Sequence, residues 1–464
     1  GTLTGAGTLT IQEGMTWSAG TQEGVGRTVL PAGTVNEVSG NYKYLYERTL
    51  ENLGTLNWSG GTPWYIGKGA EIINGETGVF NIMQEGKLQY YNSPRGTVTN
   101  LGTINRSGID TRTEFEAIIN GTGTVNVQEG TLDFEGGGTI EGDIGVGSAA
   151  VLEFSGETHT LTAEASVTGS GSVASKGGIT NIEGVYDIEG ETLVTGGSLA
   201  IEEIINTDAM VVTGGILEFG GEISITTLVQ SGGTLKGAGT VTVQEGMTWS
   251  AGTQEGVGRT VLPAGTVNEV SGNYKYLYER TLENLGTLNW SGGTPWYIGK
   301  GAEIINGETG VFNIMQEGKL QYYNSPRGTV TNLGTINRSG IDTRTEFEAI
   351  INGTGTVNVQ EGTLDFEGGG TIEGDIGVGS AAVLEFSGET HTLTAEASVT
   401  GSGSVASKGG ITNIEGVYDI EGETLVTGGT LAIEGIASTV TLVQSGGTLT
   451  GAGTLTIQEG MTWS

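Results

Sequence analysis

The chain repeats itself, and its two copies differ by one clean excision. Gln12–Gly197 recurs without change as Gln244–Gly429, an offset of 232 (244 − 12). The opening string GTLTGAGTLTIQEGMTWS, Gly1–Ser18, recurs as Gly447–Ser464, an offset of 446. The second spacing is therefore 214 (446 − 232), and the copies differ by 18 residues (232 − 214). The long copy reads SLAIEEIINTDAMVVTGGILEFGGEISITTLVQSGG where the short one reads TLAIEGIASTVTLVQSGG. A globular core, in which every layer contacts many others, does not survive such a loss. A stack of coils that touch only their neighbours does.

Rungs of such a stack can be read from Thr2, Thr28, Thr49, Ala70, Thr97, Ala117, Thr139, Thr160 and Ile179, and again from Ser198, Ile216 and Thr234. Each holds short alternating stretches, such as Thr8-Leu9-Thr10-Ile11, Thr55-Leu56-Asn57-Trp58 and Thr124-Val125-Asn126-Val127. Period two means strands, with Leu, Ile and Val turned inward. The 87 glycines fall largely between these stretches, where corners need positive φ or close backbone approach. That glycine density also rules out long helices. The expected fold is all-β: a single-stranded parallel β-helix (β-solenoid) with about 18–27 residues per rung. Residues 1–232 make a long unit of about 11 rungs, 233–446 a short unit of about 10, and 447–464 the start of the next. All three are expected to form one continuous rod, a window of a longer array.

Charge narrows the partners. With 53 Asp+Glu against 19 Lys+Arg, the formal net charge is −34, which argues against nucleic acid and anionic membranes. No apolar run reaches the length of a membrane span. There is no Cys, hence no disulfide and no thiolate metal site.

The rungs GTLTGAGTLTIQEG, GTLNWSGG and GTLDFEGGGTI resemble the Gly/Thr-rich parallel β-helices of large prokaryotic surface proteins, autotransporter-like and filamentous-haemagglutinin-like adhesins among them. The resemblance spans nearly the whole chain and implies a right-handed coil at the cell surface or outside the cell. Its motifs are compositional, so it bears on architecture more than on activity. The expected role is the structural repeat of an extracellular filament, fibre or cell-surface stalk. Its expected partners are other copies of the repeat.

Several residue sets invite a site. Asn52, Asn74, Asn100 and Asn120, with their copies Asn284, Asn306, Asn332 and Asn352, precede Gly turns and are expected to form a structural amide ladder. A second column, Asn36, Asn57, Asn81, Asn105 and Asn126, is expected to face outward. Asn57, Asn105 and Asn120, with Asn289, Asn337 and Asn352, also match the N-glycosylation pattern. Tyr42, Tyr44, Trp64, Tyr65, Tyr90 and Tyr91 offer a glycan-stacking platform, with Lys43, Arg48 and Arg95 nearby. The alternative to that platform is stacking of the rings on one another. A carbohydrate-binding adhesin is therefore the second functional reading.

Enzymatic readings are weaker. Asp110, Glu114 and Glu116 lie near Arg112, and Asp133, Glu135, Glu141 and Asp143 follow, an arrangement that brings a polysaccharide lyase to mind. Acid clusters arise easily at this charge, and each copy has a single histidine, His159 or His391. The chain is expected not to be an enzyme and to hold no cofactor, loosely bound Ca²⁺ on paired carboxylates apart. Thr-x-Thr pairs such as Thr97/Thr99 suggest an ice-binding face, but rung length varies too much for a regular lattice.

Overall fold

Alternating four-residue strands dominate the computed structural model, which describes residues 1–292 and 295–464, without side chains at 204–206. The chain is an all-β parallel solenoid of about 22 turns with 65% of its residues in strands, and there is no helix among the described residues. It divides into two compact units, Gly1–Ile225 and Thr226–Ser464.

In the early turns of the first unit three short strands lie on three faces, whereas from Thr124 onward adjoining strands run together, as in Thr124–Phe134 and Ile179–Val194. The turn Lys43–Tyr46, Thr49–Asn52, Thr55–Trp58 carries Trp64–Gly67, Glu71–Asn74, Val79–Ile82 above it. The register is parallel on all three faces: Lys43 pairs with Trp64, Thr49 with Glu71, and Thr55 with Val79. Four-residue strands of period two place two side chains inside and two outside. Stacking then makes continuous apolar columns. Leu50, Ile72, Val98 and Ile119 form one, and Leu56, Phe80, Ile104 and Val125 another, all of them buried. Turn length varies because corners vary: partners are 18 residues apart at Ser198–Ile216 (216 − 198) and 27 apart at Leu88–Phe115 (115 − 88).

The register corrects the rung starts read from sequence. The true column on the second face is Arg27, Thr49, Glu71, Thr97 and Ile118. Thr28, Ala70 and Ala117 lie one residue away, and Thr28 is an inward position, fully buried. Thr2 belongs to another face, paired with Thr21. A threonine at a strand start marks period two without telling which of two adjacent residues faces the core.

The second unit repeats these strands and registers, for example Glu303 on Thr281 and Val311 on Thr287. The 18-residue difference is one whole turn. In the first unit Ile216–Phe219 lies on Ser198. In the second, Thr448–Thr450 lies directly on Thr430, the residue matching Ser198.

Candidate functional site

Asn52, Asn74 and Asn100 point inward on the second face and are buried. Asn52 Nδ2 donates to Asn74 Oδ1 at 2.8 Å, and Asn74 Nδ2 to Asn100 Oδ1 at 2.8 Å. The same amides reach backbone carbonyls at the next corner: Val79, Gly78 and Thr103, and Thr124. Asn284, Asn306 and Asn332 repeat the arrangement.

Asn120 and Asn352 do not join this ladder. Thr99 pairs with Asn120, so the Asn100 column continues into Gly121 instead. A slip of one residue turns a strand side chain to the other face. Asn120 Oδ1 therefore accepts the Thr139 N–H at 2.8 Å, partly exposed. Only glycine fits the ladder position here: Gly121 has φ +133°, and an added Cβ would sit 1.9 Å from the Asn100 carbonyl oxygen.

A second amide ladder runs outside. Asn81 donates to Asn57, Asn105 to Asn81 and Asn126 to Asn105, each at 2.9 Å. Asn289, Asn313, Asn337 and Asn358 repeat it. Asn36 is not a member, because Glu37 rather than Asn36 pairs with Asn57. Asn36 faces inward, accepts the Met15 N–H, and donates to Thr34 and the Thr55 carbonyl. Within this ladder Asn105 and Asn337 use as donor the very nitrogen that glycosylation would modify.

The aromatic residues split by parity into two groups. Trp64 is fully buried, so it is removed from the glycan platform; its ring meets Trp17 and Trp58 edge-on, with centroids 5.5 and 5.7 Å away. Outside, Tyr42, Tyr44, Tyr46, Tyr65 and Tyr91 form one cluster. Tyr44 and Tyr65 are stacked at 4.8 Å and 7°, as their paired register dictates. Tyr91 meets Tyr65 at 5.2 Å and 63°. The stacked rings cover each other's faces. Lys68 lies over Tyr46, and Arg95 over Tyr90, which makes no ring contact with the cluster in either copy. Burial, helped by the surrounding phenols, pushes the Tyr46 hydroxyl up to about 12.

Lys43 and Arg48 are corrected as well, for both are buried rather than lining the surface. Lys43 Nζ donates to the carbonyls of Ser39, Gly40 and Asn41 at 3.0, 3.1 and 3.2 Å. Arg48 donates to Thr28 and to the carbonyls of Gly5 and Arg27. Arg106 stands in the apolar column between Ile82 and Val127 and reaches the Thr111 carbonyl at 2.8 Å. Each buried cation pins a corner from within, using carbonyl dipoles in place of a carboxylate. Sequence reasoning missed them, though parity signals them: Lys43 shares its side of the strand with Leu45, and Arg106 with Ile104.

Of the acidic cluster, Glu114, Glu116 and Asp133 belong to an ion-pair network on the first face, whereas Asp143 accepts from the Ser166 hydroxyl at 2.7 Å. Arg112 binds Glu114 at 3.1 Å, Asp133 at 2.7 Å, and Glu153. Lys87 binds Glu114 at 2.7 Å and Glu116 at 2.8 Å. Burial works against the Lys87 ammonium, but these carboxylates outweigh it and hold its pKa above the ordinary lysine value. Burial also pushes the Glu135 carboxyl up to about 6. Among the described residues, no group of three His, Cys, Asp or Glu stands where it would hold a metal ion, and no helix is long and apolar enough to cross a membrane. His159 is buried against Phe154 and accepts the Gly137 N–H at 3.1 Å; burial pushes its pKa down to about 4.

In comparisons with protein families, curated proteins and solved structures, nothing matches this chain.

Proposed function

We propose that the chain is a structural repeat of an extracellular filament, fibre or cell-surface stalk of the kind its Gly/Thr-rich rungs resemble. One observation carries this reading: a whole turn is present in one copy and missing from the other, yet Ser198 and its match Thr430 each carry a parallel strand directly on them. Such a chain can change length without rebuilding a site. Its amide ladders, ion-pair columns and tyrosine stack all run from turn to turn, and so resist separation of turns. The surface charge keeps neighbouring copies apart in solution. Electron micrographs of native material test the proposal. Thin uniform fibres that withstand protease support it, and isolated compact particles refute it.

A carbohydrate-binding adhesin on the same scaffold is the second reading. Tyr42 and Tyr91 favour it, being 54% and 48% exposed. Glycan-array binding that disappears on Tyr42→Ala or Tyr91→Ala would move the function to this surface; an array without signal leaves the structural reading standing.

A further inference from the structure

We infer that Tyr65 and Tyr91 form an oxidative coupling site, at which a one-electron oxidant joins their rings into a dityrosine that staples one turn to the next. Tyr297 and Tyr323 form the same site in the second copy, again at 5.2 Å and 63°.

A chain without cysteine has no disulfide with which to lock its turns. It does gather five phenols on one face. Tyr65 is their hub, with centroids of Tyr44, Tyr91 and Tyr42 at 4.8, 5.2 and 6.1 Å. Geometry selects the partner. A bond between two ring carbons leaves the planes steeply twisted, and the Tyr65–Tyr91 pair already stands at 63°. Tyr44 lies flat on Tyr65 at 7°, so bonding there would force a ring out of its stack. The backbones are already fixed: the Tyr91 N–H donates to the Ile66 carbonyl at 3.1 Å. Gly67 permits that approach, since a Cβ there would lie 1.7 Å from the Tyr91 carbonyl oxygen. Only side-chain rotation separates the rings from bonding. Tyr42 and Tyr91, about half exposed, are where an oxidant enters, and the stacked rings pass the radical to Tyr65.

The chemistry balances with hydrogen peroxide acting through a haem peroxidase. Each phenol gives up one electron and its hydroxyl proton. The two ring carbons ortho to oxygen join, and their hydrogens leave as protons while the hydroxyls are restored. Two hydrogen atoms are lost in all, and the peroxide becomes two waters.

The test treats the dilute full chain with peroxide and a haem peroxidase, then maps cross-linked peptides by mass spectrometry. The peptides around Tyr65 and Tyr91 match those of the second copy, so one map reads both sites. The expected product is a Tyr65–Tyr91 peptide pair lighter by two hydrogens, in protein that still runs as a single chain on a denaturing gel. Dityrosine fluorescence should fall at least tenfold in Tyr65→Phe/Tyr297→Phe and in Tyr91→Phe/Tyr323→Phe. It should persist in Tyr90→Phe/Tyr322→Phe. The second pair alters the more exposed ring, so a folding defect at Tyr65 does not decide the matter. Links found only between molecules, links mapped to another pair, or oxidation without any link would overturn the inference.

Discussion

Asn74 hands its amide proton to Asn100 at 2.8 Å across one turn of the coil, deep inside the protein. It accepts a proton from Asn52 on its other side. Removing Asn74 strands a buried donor and a buried acceptor at once. Asn74→Ala should cost about 1–3 kcal/mol, the penalty for an unsatisfied buried polar group. Asn81→Ala, in the half-exposed outer ladder, should cost clearly less because water replaces the lost amide. Urea unfolding of both variants measures the difference. Equal losses would contradict the inner ladder's special weight.

Lys43 holds three carbonyls of the 39–41 corner. Lys43→Met keeps the buried stem and removes the donors. The variant should lose about 2 kcal/mol, the scale for hydrogen bonds to a charged group. Hydrogen exchange should rise at the corner before it rises in the strands. Exchange that stays flat around residues 39–41 would show that the ammonium does not pin it.

His159 and His391 give stability a pH slope. Burial holds both at about 4 in the folded chain. The unfolded value is about 6.5. Between those values the unfolded chain binds more protons, so stability falls as pH drops from about 6.5 towards about 4. Glu135 works the other way: its folded value of about 6 exceeds the unfolded one, so its contribution is lost as pH rises through about 6. The double variant His159→Gln/His391→Gln should flatten the histidine part alone. Urea midpoints measured from pH 4 to 7 read the difference, and parallel curves for variant and parent would refute it.

Excising residues 216–233 should set Thr234 18 residues after Ser198, the spacing that Thr448 has from Thr430 in the short copy. The product should keep its β-type circular dichroism and melt within a few degrees of the parent, since each turn contacts only its neighbours. Excising half a turn, residues 216–224, should disrupt register and melt well below. Similar melting for both deletions would argue against stacking turn by turn.

The fold was legible because three signals agree: period-two alternation, glycine at corners and a length difference of one turn. Parity within a strand was less legible. Thr28 stands where the sequence pattern places a rung start yet faces the core, and Asn36, expected outward, faces inward. Val35, beside Asn36, is exposed. At this strand the polar residue takes the core because it satisfies the Met15 amide, which valine cannot do. Trp64 is expected on the surface from its place beside Tyr65, but adjacent strand residues face opposite ways and Trp64 turns inward. The place where the asparagine ladder ends depended on Gly121, one residue after Asn120, and on a backbone contact that no sequence pattern encodes.

The buried cations carry a further consequence. The corners at 39–41 and 108–111 are held by Lys43 and Arg106, which grip main-chain oxygens from below. Conformation there is written in the backbone and the interior. Thr111 shares in that grip, its hydroxyl accepting from Arg106 and donating to the Gly108 carbonyl. Ile109, 67% exposed, takes no part in it, and evolution or an engineer can rewrite it as freely as a label on a shelf whose bracket is fixed from behind.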